Sequence, residues 1–175
     1  MKPYQRENLW PDATFGKVLY VRDKGEALHR RSLYTFWRRI SMPPMFFDNA
    51  KREVCTVNPS RTNTPLHALS TLNDVTFVEA ARALASRAAK EHQAEPLARA
   101  FEIALSRPPT AEEQAILTES YREAFGSFAA DPESAKAFLA NGDLPADPSL
   151  EPVAHAALAS VCLSILNTDE VLTKE

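Results

Sequence analysis

The amino-acid sequence predicts a mainly α-helical protein, a bundle of five or six helices with an extended, irregular N-terminal arm. Three observations predict it. Only 4 residues are Gly against 13 Pro, and 27 of the 175 are Ala, which favours helices with proline-marked ends over strands joined by glycine turns. The second half carries helix starts, a small polar or acidic residue followed by Pro or by an acid three positions on. Between those starts, apolar residues recur at three- and four-residue steps. At least half of the residues are therefore expected to be helical, far above any strand content.

In chain order, residues 1–21 mix aromatics with Pro and Gly without a sustained helical period. They read as an arm, with a short strand at Lys17–Val21, that must lay Tyr4, Trp10 and Phe15 on something larger. From Gly25 the pattern turns helical: Leu33, Phe36, Trp37 and Ile40 share one arc and Arg30, Arg31, Arg38 and Arg39 the other, giving an amphipathic helix that ends before Pro43. Within the polar stretch Phe47–Asp74, Thr64 is placed to cap a helix that opens on Pro65. That helix either pauses at Asn73-Asp74, with Asp74 capping a new one from Val75, or runs through to about Glu91. Phe77, Val78, Ala81, Leu84, Ala85 and Ala88 mark its buried face. Leu97, Phe101, Ala104 and Leu105 form the next apolar face, ended by Arg107-Pro108-Pro109. Thr110 and Glu113 make a capping box for a helix lined by Leu117, Tyr121, Ala124, Phe125 and Phe128, so that the two form an αα-hairpin. Asp131-Pro132 opens a short helix that stops at Asn141-Gly142. A last helix, from about Pro152 to Leu166, turns Val153, Ala157, Leu158, Val161, Cys162 and Ile165 inward.

Length permits one domain with a real core, so residues 1–175 are read as a single domain of two parts, with the boundary at Thr64. Residues 1–63 hold 12 Lys and Arg against 6 acids and 3 Ala; residues 64–175 hold 8 against 17, and 24 Ala. A basic half is the usual footprint of a nucleic-acid partner. Here the bases form no block of five or more, and an acidic half stands in the same chain to receive them, so nucleic acid is not expected as a partner. The longest apolar run falls far short of the roughly 20 residues of a membrane span, and the N-terminus lacks the order of a signal peptide.

The two cysteines show neither the paired spacing of a zinc site nor the C-x-x-C-H of attached haem, so neither metal nor haem is expected in this chain. Both thiols are expected to be free and largely buried. His29, His67, His92 and His155 lack metal-ligand spacing and read as surface or helix-packing residues. A Cys55–His67 nucleophile and base has no local feature that would activate the thiol. No phosphate-cradling or hydrolase motif is present. The candidate site is the cluster Asp48, Arg52, Cys55, Arg61, Asn63 and Asp74. Arg61 and Asn63 precede a helix N-terminus, where free N–H groups and the dipole favour an anion, with Arg52 close in sequence. If the carboxylate is Asp48 or Asp74 of the same chain, the cluster is a structural clamp on an irregular loop. If it comes from outside, the cluster binds a ligand such as an acidic glycan.

KPYQ at Lys2–Gln5, RRSLYTFWRR at Arg30–Arg39, the REVC run ending at Cys55, RTNTPLHAL at Arg61–Leu69, LND at Leu72–Asp74, FVEAARALA at Phe77–Ala85 and the closing LNTDEVLTKE together resemble the C-terminal part of the planctomycete-specific domain of unknown function 1553. That family accompanies planctomycete cytochrome c-like domains in large, generally exported proteins. Its members usually carry Gln where His67 stands, which weakens a catalytic role there, and Pro where Val75 stands, which suits Asp74 as an N-cap. Cys162 is not part of the family pattern. The resemblance implies a C-terminal portion of an exported parent, partnered by upstream domains and prone to self-association through the surface they would cover. It points to an interaction or scaffolding role; the alternative is an enzyme or accessory domain acting on extracellular acidic polysaccharide. No activity follows from the family.

Overall fold

The computed structural model describes residues 1–5, 9–17, 19–38, 55, 57 and 64–172. Of the described residues 66% are helical and none forms a strand. Contacts divide the chain into two compact units, Met1–His67 and Ala68–Glu175, close to the compositional change at Thr64.

In the first unit, α1 is Leu9–Thr14 and two single 3₁₀ turns follow at Gly25–Leu28 and Ser32–Tyr34. The amphipathic helix expected from Gly25 is absent across the described residues up to Arg38, although the apolar periodicity is real. The chain instead crosses back over itself: Phe36 N–H donates to Met1 O at 2.7 Å, Asp23 N–H to Lys2 O at 3.0 Å, and Lys2 N–H to the Asp23 carboxylate at 2.8 Å. A long helix would forfeit those nonlocal bonds. No strand forms at the described residues of Lys17–Val21, and the helical turn of α1 lies where no period was legible. Trp10 is the hub, 1% exposed and stacked between Tyr20 at 5.5 Å and Phe36 at 5.7 Å. Its indole N–H donates to Gln5, and the Arg38 guanidinium lies over its ring. Burial, with Asp23 nearby, raises the Tyr20 phenol to about 12, and its O–H donates to Pro3 O at 2.8 Å. Phe15 is left 94% exposed, contrary to the role expected of it.

The second unit contains α2 (Pro65–Asn73, which begins just before it), α3 (Val75–Glu91), α4 (Pro96–Leu105), α5 (Ala111–Ala130), α6 (Pro132–Leu139), α7 (Pro152–Leu166) and α8 (Asp169–Leu172). The starts are chemical. Thr64 accepts from His67 N–H at 3.3 Å, and the helix does pause, with Asp74 accepting from Thr76 N–H at 2.9 Å. Thr110 and Glu113 satisfy each other's backbone N–H at 3.2 and 2.7 Å, the expected capping box. Asp131 caps α6 through Ser134 N–H, and Gly142 takes φ +85° beyond its end. Glu151 caps α7 by accepting from Val153 and Ala154 N–H.

Helix α7 is the axis of the unit. It packs on α3, α4, α5 and α6 and buries His155–Ala159, Val161–Leu163 and Ile165, so it is apolar around most of its circumference rather than along the single inward face expected. A helix of that kind belongs at the centre of a core. Its alanines let four neighbours approach closely, and Val78, Leu84, Leu97, Phe101 and Leu117 close the cluster. At the surface, Arg107 lies over the Phe101 ring and joins Glu113 of α5 to Glu170 of α8, at 2.8 and 2.7 Å. Among the described residues no helix is long and apolar enough to cross a membrane.

Candidate functional site

Of the six residues singled out in the sequence, Asp48, Arg52, Arg61 and Asn63 lie outside the described residues. Asp74 uses its carboxylate as the α3 N-cap. Cys55 is free, as expected, but exposed rather than buried, whereas Cys162 is free and buried, its thiol pushed up to about 12 by desolvation. The difference follows from context. Cys162 is on the central helix, while Cys55 and the nearby Val57, which is 99% exposed, stand outside any described helix.

The described bundle gathers its own polar constellation where α3 faces α7 and the loop that leads into it. Glu79, Arg82 and Ser86 follow one another at three- and four-residue steps on α3 and so share one side of the helix. Arg82 is 1% exposed and donates to the carbonyls of Asn141 and, at 2.9 Å, Leu144. Glu79, 3% exposed, accepts Asp143 N–H at 2.7 Å. One guanidinium and one carboxylate, a turn apart, thus fix three successive sites of the segment 141–144. Between them Gly142 passes so close that a Cβ there would overlap the Glu79 carboxylate. Burying such charges is unfavourable unless each is bonded. Here each is bonded to the loop backbone, which needs partners of its own.

His155 of α7, 3% exposed, adjoins Arg82 and Ser86. Its Nε2 is 3.0 Å from Ser86 Oγ and 3.4 Å from Arg82 O, and its Nδ1 is buried without a hydrogen-bond partner. Burial lowers its pKa; the Arg82 charge acts in the same direction, while the bond to the Arg82 carbonyl and the Asp147 charge oppose it. The Ser86–His155 contact has the separation of a nucleophile and base. Ser86 nevertheless sits inside a 17-residue helix, where the neighbouring N–H groups are bonded along the helix and none is left to stabilise an oxyanion. The pair is a packing contact, as expected for the histidines.

Beside this cluster opens a groove of about 630 Å³, lined by Ala83, Ser86, Arg87 and Lys90 of α3 and by Leu144 and Asp147 of the loop, among others. Its cations have partners. Lys90 pairs with Asp147, and Arg87 with Glu91, which also receives Arg99. The Lys90 ammonium and the Ser149 hydroxyl and N–H hold the Asp147 carboxyl well below the usual range.

Sequence reasoning missed Glu79 and Arg82, although a signal was present. At 100° per residue Arg82 falls only about 40° and Ser86 about 80° from Val78, so a charge borders the apolar arc instead of standing opposite it. A second feature escaped it too: α2 turns Thr71 inward, buried and bonded to Asn167, while Leu66, Leu69 and Leu72 on the other side are 73, 59 and 39% exposed.

No curated protein and no solved structure matches the chain. Residues 1–121 match the family described as PSD1, protein of unknown function (DUF1553). The match takes in the Lys2–Gln5, Arg30–Arg39, Arg61–Leu69 and Phe77–Ala85 runs, and the closing LNTDEVLTKE lies beyond it. With more than half of its length matched, the chain belongs to the PSD1 (DUF1553) family.

Proposed function

We propose that this chain is an interaction module, a helical protein that offers the leucine face of α2 to another protein surface and serves as scaffolding in an exported, cytochrome-associated parent next to its upstream domains. The observation that carries this is the inversion of α2. Leu66, Leu69 and Leu72 stand at three-residue steps on one side of the helix and are exposed, while its small and polar side is the one packed. Leucines at that spacing ordinarily seek a core, and an exposed apolar stripe is characteristic of a docking surface. The buried charges of Arg82 and Glu79 instead bond to the chain's own backbone.

For the isolated chain the occupant is a second copy. The opposite net charges of residues 1–63 and 64–175, 12 bases to 6 acids against 8 to 17, favour attraction between two copies over repulsion. An acidic-polysaccharide site rests on Asp48, Arg52, Arg61 and Asn63, outside the described residues, and the described cations around the groove already carry acidic partners. Light scattering across a concentration series tests the proposal. The chain should rise in mass above a monomer, and Leu66→Glu with Leu69→Glu should return it to monomer with an unchanged circular dichroism spectrum. A chain monomeric throughout, or equal association in both proteins, contradicts it. So does retention of a sulfated glycan that depends on Arg61.

A further inference from the structure

The segment between α6 and α7 is held to α3 by polar bonds at four places. Arg82 bonds to Asn141 and Leu144, Glu79 to Asp143, and Lys90 to Asp147. Leu144 is 37% exposed, and the apolar side chains of the segment add little to the core. Against Arg82, which holds the segment, and within reach of the Asp147 charge sits the one buried titratable group of the cluster that is neutral in ordinary conditions. His155 is packed against Ser86 and the Arg82 carbonyl, with Nδ1 buried and unbonded.

We propose that residues 140–149 form an acid-sensitive strap, which uptake of a proton by His155 loosens from α3 while the helices stay packed. A proton on His155 creates a second cation in the space that already holds the buried Arg82 guanidinium, and gives Nδ1 an N–H with nothing to receive it. The groups facing it are few. Arg82 of α3 repels the new charge, and Asp147 of the strap attracts it but is engaged with Lys90. Glu151, one turn earlier on α7, caps that helix and faces Tyr121 of α5. Lys136 and Glu133 of α6 pair with each other in solvent. The imidazole regains water most cheaply if the strap lifts, because the strap is held by polar bonds that water can replace, whereas parting α3 from α7 would open the apolar core.

The sign follows from linkage. Burial depresses the His155 pKa, so the closed strap binds fewer protons than the open one. Closure is at full strength above the ordinary histidine value of about 6.5 and weakens as pH falls below it, by up to about tenfold per unit for one proton. Hydrogen exchange corrected for intrinsic rates, at about pH 7.5 and about pH 5, tests this on the whole chain. Protection at Asp143 and its strap neighbours should fall by tenfold or more in acid while α4 and α5 keep theirs. His155→Gln should remove the pH response. If that variant fails to fold, the wild-type Asp143 amide resonance must shift in step with the His155 ring protons. Unchanged strap protection, an identical response in His155→Gln, simultaneous loss throughout the helices, or an Asp143 shift that follows carboxylates instead would each overturn the proposal.

Discussion

Replacing Arg82 by Met isolates the electrostatic part of the α3 clamp, because Met keeps most of the buried stem volume and removes the charge and its donors. Arg82 is 1% exposed and holds two carbonyls, and Glu79 one turn away is 3% exposed with its carboxylate on Asp143 N–H. Removing one member of a buried charge constellation typically costs about 3 to 5 kcal/mol, since the remaining charge stays buried with less compensation. The two carbonyls lie on a loop that water can reach, so each adds at most about 1 kcal/mol. The expected loss is therefore about 3 to 7 kcal/mol, a large part of the roughly 5 to 15 kcal/mol that stabilises a domain. Urea unfolding followed by far-UV circular dichroism measures it; tryptophan fluorescence does not, since Trp10 and Trp37 are both in the first unit. Adding Glu79→Gln to Arg82→Met should recover at least about 1 kcal/mol, because the stranded carboxylate goes with it. A loss below about 1 kcal/mol, with the denaturant slope unchanged, would show that the strap is not held as described.

Gly142→Ala places a Cβ against the Glu79 carboxylate at a φ of +85° and should lower stability by about 1 to 3 kcal/mol; a melting temperature within error of wild type refutes this. A thiol reagent under native conditions should modify one cysteine per chain quickly, the exposed Cys55, and leave Cys162 until unfolding; Cys55→Ser should abolish the fast phase, and two equally fast thiols would contradict the burial of Cys162. The Glu113 carboxyl is held at about 2 by Arg107 first and the Thr110 backbone second. Its folded pKa is depressed, so the contact is complete above the ordinary value of about 4.5 and lost as pH falls towards 2; a carboxyl titration by NMR should show that midpoint, and Arg107→Met should raise it.

Much of the second unit is legible in the sequence because its signals are local. Thr64, Asp74, Thr110 with Glu113, and Asp131 each bond within three residues of their own position, so the helix starts depend on nothing distant. The strap is different. Arg82 meets Asn141 and Leu144 across about sixty positions, and no periodicity foretells that pairing; a charge at the border of the apolar arc says only that it needs a partner. The first unit resists for the same reason. Its Gly25–Arg38 pattern has the helical period, but the bonds from Phe36 to Met1 and from Asp23 to Lys2 are long-range and win over propensity. In α2 the three-residue spacing of Leu66, Leu69 and Leu72 is a signal that sequence reasoning did not use, and it could not have said that they point outward, since direction is set by Thr71 meeting Asn167 near the far end of the chain.

The central claim, that the α2 leucine face is a docking surface, is tested most directly by placing a photoreactive side chain at Leu69 and another at Glu119, an exposed position on α5. Illumination at a concentration where the chain associates should give covalent dimers from position 69 in clear excess over position 119, with the cross-links mapping to one defined patch on the second copy. Equal yields from the two positions, or no dimer from position 69, would contradict it.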